Sequence, residues 1–517
     1  MPPRTISYTG LPGASRLFLD YLYEPAKTRD FYAHSPWEPA GYTNAAAAID
    51  YPADRRAALV AALRVQNGDC PSLDLLARPG TVVVATGQQV GLLTGPAYTV
   101  YKALTAARLA RRLTEQGLPA VPVFWLATED HDFEEVNHCW VFDDACQPVR
   151  IEAGHSAAPQ TPVGTIPVNE ATAGDLRRAL GGLPFAGEVS DLVEEAYTAG
   201  STFGTSFHRL LGKLLANYGL LYLDPLQPNA RQLAAPLLAR ALERSADLVR
   251  LVLKRNQALA AAGYHAQVHI EPESSLLFLL KGGRRLPLVT GTGGLQGGDL
   301  SPNALLRPVI QDYMLPTVAS VMGPAELAYM AQAQVIYREL LGRTPVVVPR
   351  AAFTILDPRS DRLLARYELS LEDFFQGEHA LRERAARTLT PPELRTHIQQ
   401  LTEDTGAGIA RLRAALLRFD PTLAEALERS RRRVLYQLGK IGDKVSREAL
   451  RRSERVDAGT ARLVGLLYPR RHLQERFYTI LPLLAQHGLD LIETVYRNID
   501  LDSRDHQVLT IVDGRID

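Results

Sequence analysis

The chain is predicted to be an α/β protein in which a doubly wound parallel sheet is followed by a long helical hairpin. Three observations predict this fold. Two strand–turn–helix–strand segments, near residues 81–126 and 317–348, carry apolar β-branched runs at both ends. A further strand–helix segment begins near residue 220. The last third of the chain repeats apolar residues at steps of three and four.

The first segment predicts a buried strand, a glycine-rich turn and a helix. Thr81–Ala85 is an apolar β-branched run, typical of a strand that is buried on both faces. Pro96 follows the glycines of the turn and suits a first helical position, and Ala97–Glu115 is rich in helix-forming residues. Val121–Leu126 is then the next strand. The segment therefore predicts a βαβ unit with parallel strands.

Two later segments extend the predicted sheet. Thr317–Met322 is a strand candidate, Gly323 and a proline form a turn into a helix that runs to about Leu341, and Pro345–Val348 is the strand that follows. Leu220–Leu223 is a further short strand with a helix after it. These segments together predict one doubly wound sheet.

The stretches between these segments are predicted to be insertions. Residues 140–200 are interrupted by glycine and proline. Farther on, Ala266–Ile270 and Leu276–Leu280 alternate like strands, and Lys281–Arg284 is a hairpin turn. Gly291–Gly298 is dense in glycine and is predicted to be a mobile loop or lid.

The C-terminal part predicts two long antiparallel helices. Asp420 and Pro421 end one helix and begin the next. The predicted apolar seam consists of Ile409, Leu412, Leu416, Phe419, Leu423, Leu427, Val434, Leu438, Ile441 and Val445. A hairpin of this length favours homodimerisation. The basic run around Arg429 and Arg431–Arg433 is interpreted as a solvated helix face in preference to a nucleic-acid contact.

The composition argues against several classes of partner. Lysine and arginine number 57, as do aspartate and glutamate, so no net charge favours nucleic acid or an anionic membrane. The three cysteines indicate neither a disulfide framework nor a structural zinc site. No apolar run has the length of a signal peptide or a membrane span. A cytoplasmic location is therefore expected.

The run from Thr86 to Lys102 is the first candidate site. It leads from the end of a strand into a helix N-terminus, where free N–H groups favour phosphate or carboxylate. The glycine spacing matches neither the P-loop nor the dinucleotide fingerprint, and a tight turn that needs glycine is the alternative interpretation. The candidate binding residues are Gln88, Gln89, Thr94, Gly95, Tyr98 and Thr99.

The acidic run Glu129-Asp130-His131-Asp132 is the second candidate site because it directly follows a predicted strand. Clustered carboxylates raise one another's pKa, and a histidine beside them suits a general base. The same cluster would also suit Mg²⁺. A solvated loop that caps a helix is the remaining interpretation.

A third candidate wall begins at Gly323, which repeats the Gly-Pro helix entry. Glu326 lies in the first helical turn, Tyr329 lies one turn further on, and Arg307 lies on the preceding predicted helix. Two helix N-termini that face one crevice would favour an anionic ligand.

These runs occur in an order that resembles one known family, the bacillithiol biosynthesis cysteine-adding enzymes called BshC. The segments that carry the resemblance are Thr86–Pro96, Phe124–Asp132, Arg307-Pro308, Gly323–Glu326, Val348–Arg350, Leu473–Arg476 and Gly488–Ile492. They extend over most of the chain.

The resemblance implies a Rossmann-type core related to nucleotidylyltransferases, with connecting insertions and a dimerising coiled coil. It also implies a reaction in which the carboxylate of cysteine is joined to the amine of glucosaminyl-malate, the last step of bacillithiol biosynthesis. Because a free carboxylate needs activation, ATP is the expected co-substrate, and Mg²⁺ is a candidate companion, whereas zinc is not expected.

The positions of the candidate residues suggest a hypothesis for their roles in this reaction. His131 or a carboxylate beside it, Glu129 or Asp132, would take the proton of the attacking amine. Lys102 would contact anionic groups at the helix start. Two alternatives stay open: a nucleotidylyltransferase-like enzyme that acts on another sugar or amine, and a dimeric protein that binds a ligand without catalysis.

The predicted domain boundaries combine these segments with the resemblance. In chain order they are 1–139 for N-terminal helices and the first half of the core, 140–200 for the first insertion, 201–262 for the core continuation, 263–300 for the second insertion with a small β hairpin, 301–384 for the second half of the core, 385–460 for the coiled-coil hairpin, and 461–517 for a segment that packs back on the core.

Overall fold

The computed structural model describes residues 4–154, 156–288, 297–377, 381, 384, 390–451 and 454–511. These residues form two compact units. The first unit comprises Met1–Asp144, Pro148–Ile355 and Glu475–Leu509, and the second comprises Ala145–Gln147, Leu356–Gln474 and Thr510–Asp517.

The described elements are thirteen strands and twenty α-helices. The strands are β1 (Arg4–Ile6), β2 (Val82–Gln89), β3 (Ala120–Ala127), β4 (His138–Phe142), β5 (Pro148–Glu152), β6 (Leu221–Leu223), β7 (Leu277–Lys281), β8 (Arg284–Pro287), β9 (Leu300–Pro302), β10 (Thr317–Met322), β11 (Val346–Pro349), β12 (Phe353–Leu356) and β13 (His506–Thr510). The helices are α1 (Arg16–Tyr23), α2 (Pro39–Ala47), α3 (Ala53–Asn67), α4 (Pro71–Ala77), α5 (Tyr98–Glu115), α6 (Phe133–Val136), α7 (Ala171–Leu180), α8 (Ala186–Ala196), α9 (Phe203–Leu214), α10 (Pro228–Glu243), α11 (Ser245–Ala261), α12 (Arg307–Met314), α13 (Pro324–Leu341), α14 (Pro358–Arg366), α15 (Pro392–Phe419), α16 (Pro421–Arg451), α17 (Glu454–Leu467), α18 (Gln474–Phe477), α19 (Leu481–His487) and α20 (Leu491–Arg497).

The first unit is built around a five-stranded sheet with the order β11-β10-β2-β3-β6, and every neighbouring pair is parallel. Side chains alternate across the sheet, so Val83 and Ala85 pack into one buried cluster while Val82 and Val84 pack into another on the opposite face. Burial on both faces explains why these strands are continuous apolar runs. The predicted doubly wound α/β fold is confirmed.

Strand β2 is longer than the sequence predicts, because it continues through Gln89. Gln88 and Gln89 pair in register with Leu126 and Ala127 of β3. Gly87 permits this close pairing, since a Cβ there would lie 2.8 Å from the carbonyl oxygen of Trp125. The polar residues after Ala85 therefore belong to the strand end and not to the turn.

The second insertion contains a small antiparallel sheet with the order β8-β7-β9. The predicted hairpin turn is confirmed, and Gly282 and Gly283 adopt φ values of 59° and 71°. The predicted strand Ala266–Ile270 is wrong. The side-chain amide of Gln332 bonds both the N–H and the carbonyl of Val268, each at 2.9 Å, and so replaces a strand partner there. Of the glycine-dense run, residues 291–296 lie outside the described part of the chain.

The second unit contains the predicted helical hairpin, which is confirmed as α15 and α16. The predicted seam is wrong at five of its ten positions. These positions are exposed: Leu412 by 50%, Phe419 by 84%, Leu423 by 43%, Val434 by 43% and Ile441 by 51%. A two-helix hairpin covers only one narrow stripe of each helix, so a second apolar stripe stays uncovered within a single chain. No helix of the described chain is long and apolar enough to cross a membrane.

Candidate active site

A cavity of about 810 Å³ lies in the first unit, where the carboxyl ends of β2, β3 and β10 meet. This is the edge at which open parallel sheets bind ligands. Most of the predicted site residues line the cavity: Gln88, Gln89, Tyr98, Lys102, Glu129, Asp130, His131, Asp132, Arg307, Gly323, Glu326 and Tyr329. The three candidate runs therefore meet in one pocket.

Three predicted binding residues, Thr94, Gly95 and Thr99, do not line this pocket. All three are buried, and the chain turns through positive φ at Leu93, Thr94 and Gly95 before α5 begins. The N–H of Ala97 at the helix start donates to the carbonyl of Tyr478 at 2.7 Å. The Ala97 N–H is therefore satisfied within the protein, whereas Tyr98, the first residue of α5, lines the pocket.

Lys102 connects the first and third runs. Its ammonium lies 2.5 Å from the Gly87 carbonyl oxygen, 3.0 Å from Gln88 Oε1 and 2.6 Å from Glu326 Oε2. Glu326 Oε2 also accepts the N–H of Gly323 at 2.8 Å and so satisfies the backbone donor at the N-cap of α13. Burial lowers the pKa of Lys102, and Glu326 opposes this shift. The ammonium therefore links the end of β2 to the first turn of α13.

The acidic run after β3 sends its carboxylates in different directions. Glu129 is buried and accepts from Arg231 at 2.8 Å and Ser301 at 3.1 Å. Asp130 accepts from Gln89 at 2.6 Å, and Asp132 caps α6. The donors of these three carboxylates lie on different elements, so the carboxylates do not point to one common position. Among the residues that the structure describes, no three His, Cys, Asp or Glu side chains form a group that could hold a metal.

The pKa shifts of Glu129 and His131 have causes other than the one that the sequence predicts. The pKa of Glu129 is raised by burial, which the guanidinium of Arg231 opposes, and not by neighbouring carboxylates. The pKa of His131 is lowered by burial and then by Arg285. Both effects favour the neutral form of the His131 ring, and Asp130 and Asp132 oppose them.

Arg285 of β8 is a pocket residue that the sequence analysis missed. It is 8% exposed, and its guanidinium lies 3.0 Å from His131 Nδ1 and 3.5 Å from Asp130 Oδ1. It also stacks over the Phe278 ring at 4.1 Å. No sequence signal could relate the second insertion to the acidic run across more than 150 residues.

Two further arginines that line the pocket, Arg350 and Arg476, were also missed as site residues, although both lie in segments that carry the resemblance. Arg350 forms a buried two-point ion pair with Glu475, at 2.7 and 2.6 Å. Both guanidinium groups lie over the Tyr98 ring, at 5.2 and 6.0 Å from its centroid. Tyr98 therefore lies beneath two cations at the pocket wall.

Arg307 begins α12 and donates to the Tyr329 hydroxyl at 2.9 Å and to Gln311 Oε1 at 3.3 Å. Burial raises the pKa of Tyr329 to about 12. In the described part of the chain, no carboxylate lies within ion-pair distance of Arg307 or Arg476. These two guanidinium groups are charged pocket residues without an anionic partner.

The pocket consequently has two halves of opposite charge. We call the group Lys102, Arg307, Arg350 and Arg476, on the β2–β10–β11 side, the cationic half, and it contains one carboxylate, Glu326. We call the group Asp130, Asp132 and Glu135, on the β3 side, the acidic half, and it contains one cation, Arg285, which lies 3.5 Å from Asp130 Oδ1. Strand order separates the halves because β3 lies on the opposite side of β2 from β10 and β11. Such a pocket suits a ligand with an anionic end and a cationic end.

Fold and pocket define the class: a Rossmann-like α/β protein with a charged ligand pocket at the carboxyl edge of its sheet and a helical hairpin after it. Residues 1–296 and 295–351 match the family described as bacillithiol biosynthesis BshC, N-terminal Rossmann-like domain, and residues 353–511 match the BshC C-terminal coiled-coil domain. The chain belongs to the BshC family, which confirms the resemblance.

Relatives from other bacteria match over nearly the whole chain. The protein from Solibacter usitatus is 51% identical over 520 residues, which cover 98% of this chain and 99% of the relative. The protein from Koribacter versatilis is 36% identical over 525 residues, which cover 96% and 97%. Both carry the name "Putative cysteine ligase BshC".

Proposed function

We propose that this protein is a cysteine ligase that joins the carboxyl group of cysteine to the amine of glucosaminyl-malate, in the last step of bacillithiol biosynthesis. The family and the names of its relatives support the proposal. The observation that carries it is the division of the pocket into a cationic and an acidic half. Glucosaminyl-malate has the matching character, since its malyl group carries two carboxylates and its sugar carries an amine.

We assign the malyl carboxylates to the cationic half. Arg307 and Arg476 offer two guanidinium groups without a described carboxylate partner, and guanidinium is the cation best suited to bind carboxylate through paired hydrogen bonds. Tyr98 and Tyr329 contact these arginines and hold them at the pocket wall. These two guanidinium groups are equal in number to the two carboxylates of the malyl group.

With the malyl group there, the sugar amine faces the acidic half. Asp130, Asp132 and Glu135 attract the amine in its protonated form and accept hydrogen bonds from it. This placement brings the nucleophile next to the Glu129–Asp132 run. Orientation by charge thus positions one reactant before the reaction begins.

In the reaction, the bound ammonium first loses one proton to water, and the free amine nitrogen then attacks the carbonyl carbon of the activated cysteine acyl group. A C–N bond forms, the bond to the leaving oxygen breaks, and a proton leaves the nitrogen. We assign that proton to the carboxylate of Asp132, which is exposed to the pocket and accepts a long hydrogen bond of 3.3 Å from the Glu135 N–H. Lys102 and Glu129, expected as catalytic residues, are engaged in buried ion pairs and are proposed as positioning residues.

A free carboxylate does not form an amide in water without activation, and ATP supplies that activation in the proposed reaction. The cavity of about 810 Å³ lies within the size range of sites that bind small molecules and cofactors. Because the carboxylates of the described residues do not converge, Mg²⁺ would be held largely by phosphate oxygens.

We also propose a cytoplasmic homodimer that forms through the helical hairpin. Leu412 and Phe419 on α15, and Val434 and Ile441 on α16, are exposed, and each pair lies two turns apart on one face of its helix as an uncovered apolar stripe. A second copy would bury this stripe, as the partner helix does in a coiled coil.

A product assay tests the proposed reaction. The full chain is incubated with cysteine, glucosaminyl-malate and ATP, and with each of these omitted in turn, and the products are identified by mass spectrometry. We expect a product with the mass of the cysteinyl amide only in the complete mixture. Absence of the amide from the complete mixture would contradict the proposed reaction. Formation of the amide in the mixture without ATP would contradict the role proposed for ATP.

A further inference from the structure

Arg285 holds the second insertion against the acidic run through a set of directed hydrogen bonds. Its Nε donates to Ser301 Oγ at 3.1 Å, and its Nη2 donates to the Pro302 carbonyl at 2.7 Å. Ser301 Oγ in turn donates to Glu129 Oε2 at 3.1 Å. The guanidinium also packs on the Phe278 ring. These contacts fix its orientation, so the direction of its Nη1 donors is fixed as well.

Nη1 of this oriented guanidinium lies 3.0 Å from His131 Nδ1. A guanidinium carries only donors, so His131 Nδ1 has to be the acceptor and cannot carry a proton. In the neutral ring the proton is then on Nε2. Rotation of the ring by half a turn would place a carbon in front of Arg285 and leave its Nη1 with only the long 3.5 Å contact to Asp130 Oδ1.

We infer that Arg285 fixes His131 in the Nε2–H form, so that His131 acts in the pocket as a hydrogen-bond donor and not as a general base. The inference deepens the proposed function, on which its catalytic part rests. No acceptor for Nε2 occurs among the residues that the structure describes, and His131 lines the pocket. The N–H is therefore available to a ligand.

The oxygen that gains negative charge in the proposed reaction is the carbonyl oxygen of the cysteine acyl group. A fixed N–H donor stabilises such an oxygen, and it needs no reorganisation during the reaction. His131 donates to this oxygen, and Asp132 takes the proton from the amine. Arg285 is a positioning residue, because it acts through His131.

The tautomer can be measured without substrate. The full chain is labelled with ¹⁵N in its histidine rings, and two-dimensional NMR reads which ring nitrogen of each histidine carries the proton at neutral pH. The signals of His131 are identified by their loss in a His131→Gln variant. We expect an unprotonated Nδ1 and a protonated Nε2. A proton on Nδ1 would overturn the inference.

Two variants test the catalytic part. The amide nitrogen of glutamine lies near the position of Nε2, whereas that of asparagine lies near the position of Nδ1. His131→Gln should keep kcat within about tenfold of the parent, and His131→Asn should lower it about 10²–10³-fold, the cost of losing one such donor. An equal loss in both variants would contradict the donor role.

Arg285→Met tests the positioning role with a side chain of similar length and no donor. We expect mixed tautomers of His131 in the NMR spectrum and a fall in kcat with smaller changes in KM. If this variant does not fold, the tautomer of the parent protein still decides the inference. A fixed Nε2–H tautomer in a protein that forms no amide would refute the proposed function and leave the structural assignment of Arg285 standing.

Discussion

The ammonium of Lys102 lies 2.6 Å from a carboxylate oxygen of Glu326, and this pair joins α5 to the start of α13. Lys102 is 1% exposed, so the pair is buried on the lysine side, whereas Glu326 is 23% exposed. Lys102 also bonds the end of β2. The shape of the cationic half therefore depends on a contact between two helices.

Lys102→Met should lower the free energy of unfolding by about 2–4 kcal/mol, since it leaves the Glu326 carboxylate without its cation at a partly buried position. Urea unfolding measures the change. The double variant Lys102→Met with Glu326→Gln should recover part of the loss, because no unpaired charge remains. Strictly additive effects of the two substitutions would show that the pair does not couple.

Gly87→Ala should destabilise the edge of the sheet at the pocket. The new Cβ would lie 2.8 Å from the Trp125 carbonyl oxygen and 2.9 Å from Trp125 Cβ, so β2 and β3 must separate, at a cost of about 1–3 kcal/mol. Gly187→Ala is the matched control, because Gly187 lies in α8 with no atom within 4 Å of its Cβ position. The control should be neutral or stabilising in thermal unfolding, and equal effects would argue against the close approach.

The ion pair of Glu475 with Arg350 should make stability depend on pH. Burial alone would raise the pKa of Glu475, but Arg350 outweighs burial and lowers it. A carboxyl group whose pKa is depressed in the folded state stabilises the fold above its unfolded pKa of about 4.3, and this stabilisation is lost as the pH falls through the folded value. Urea unfolding of the parent and Glu475→Gln should differ by about 3–5 kcal/mol at pH 7. The difference should shrink below about pH 4. A difference independent of pH would contradict this account.

The proposed dimer predicts that charge on the uncovered stripe separates the copies. Leu412→Glu with Ile441→Glu places two carboxylates on exposed apolar positions of α15 and α16. Analytical ultracentrifugation should show a dimer for the parent and a monomer for the double variant, with the helical circular dichroism of both unchanged. A dimer of the same stability in both proteins would exclude this surface as the interface.

The sheet was predictable because strands that are buried on both faces consist of continuous runs of β-branched residues, bounded by glycine and proline. The end of β2 could not be predicted. Its last residues, Gly87, Gln88 and Gln89, have the composition of a turn, although they pair with β3 in the structure. The hairpin was predictable from its apolar periodicity, yet its seam was not, since the pattern shows which residues are apolar and not which of them a single chain covers.

The location of the site was predictable from a general property of parallel sheets, whose carboxyl ends meet at one edge. The direction of each side chain was not. Glu129, Asp130 and Asp132 are consecutive or nearly so, but each finds a donor on a different element. The contact between Arg285 and His131 joins two distant parts of the chain, and only the folded structure brings them together.

The assignment of the malyl carboxylates to the cationic half is tested most directly by substrate discrimination. We would measure kcat/KM for glucosaminyl-malate and for an uncharged glucosaminide that has the amine and no carboxylate. Parent, Arg307→Gln, Arg476→Gln and the exposed control Arg78→Gln would be compared.

Arg307→Gln and Arg476→Gln should each lower kcat/KM for glucosaminyl-malate about 10- to 100-fold, the value of one lost charge-assisted contact, and leave the value for the uncharged glucosaminide and the control nearly unchanged. Equal losses on both substrates, or no loss on either, would contradict a pocket that orients its substrate by charge.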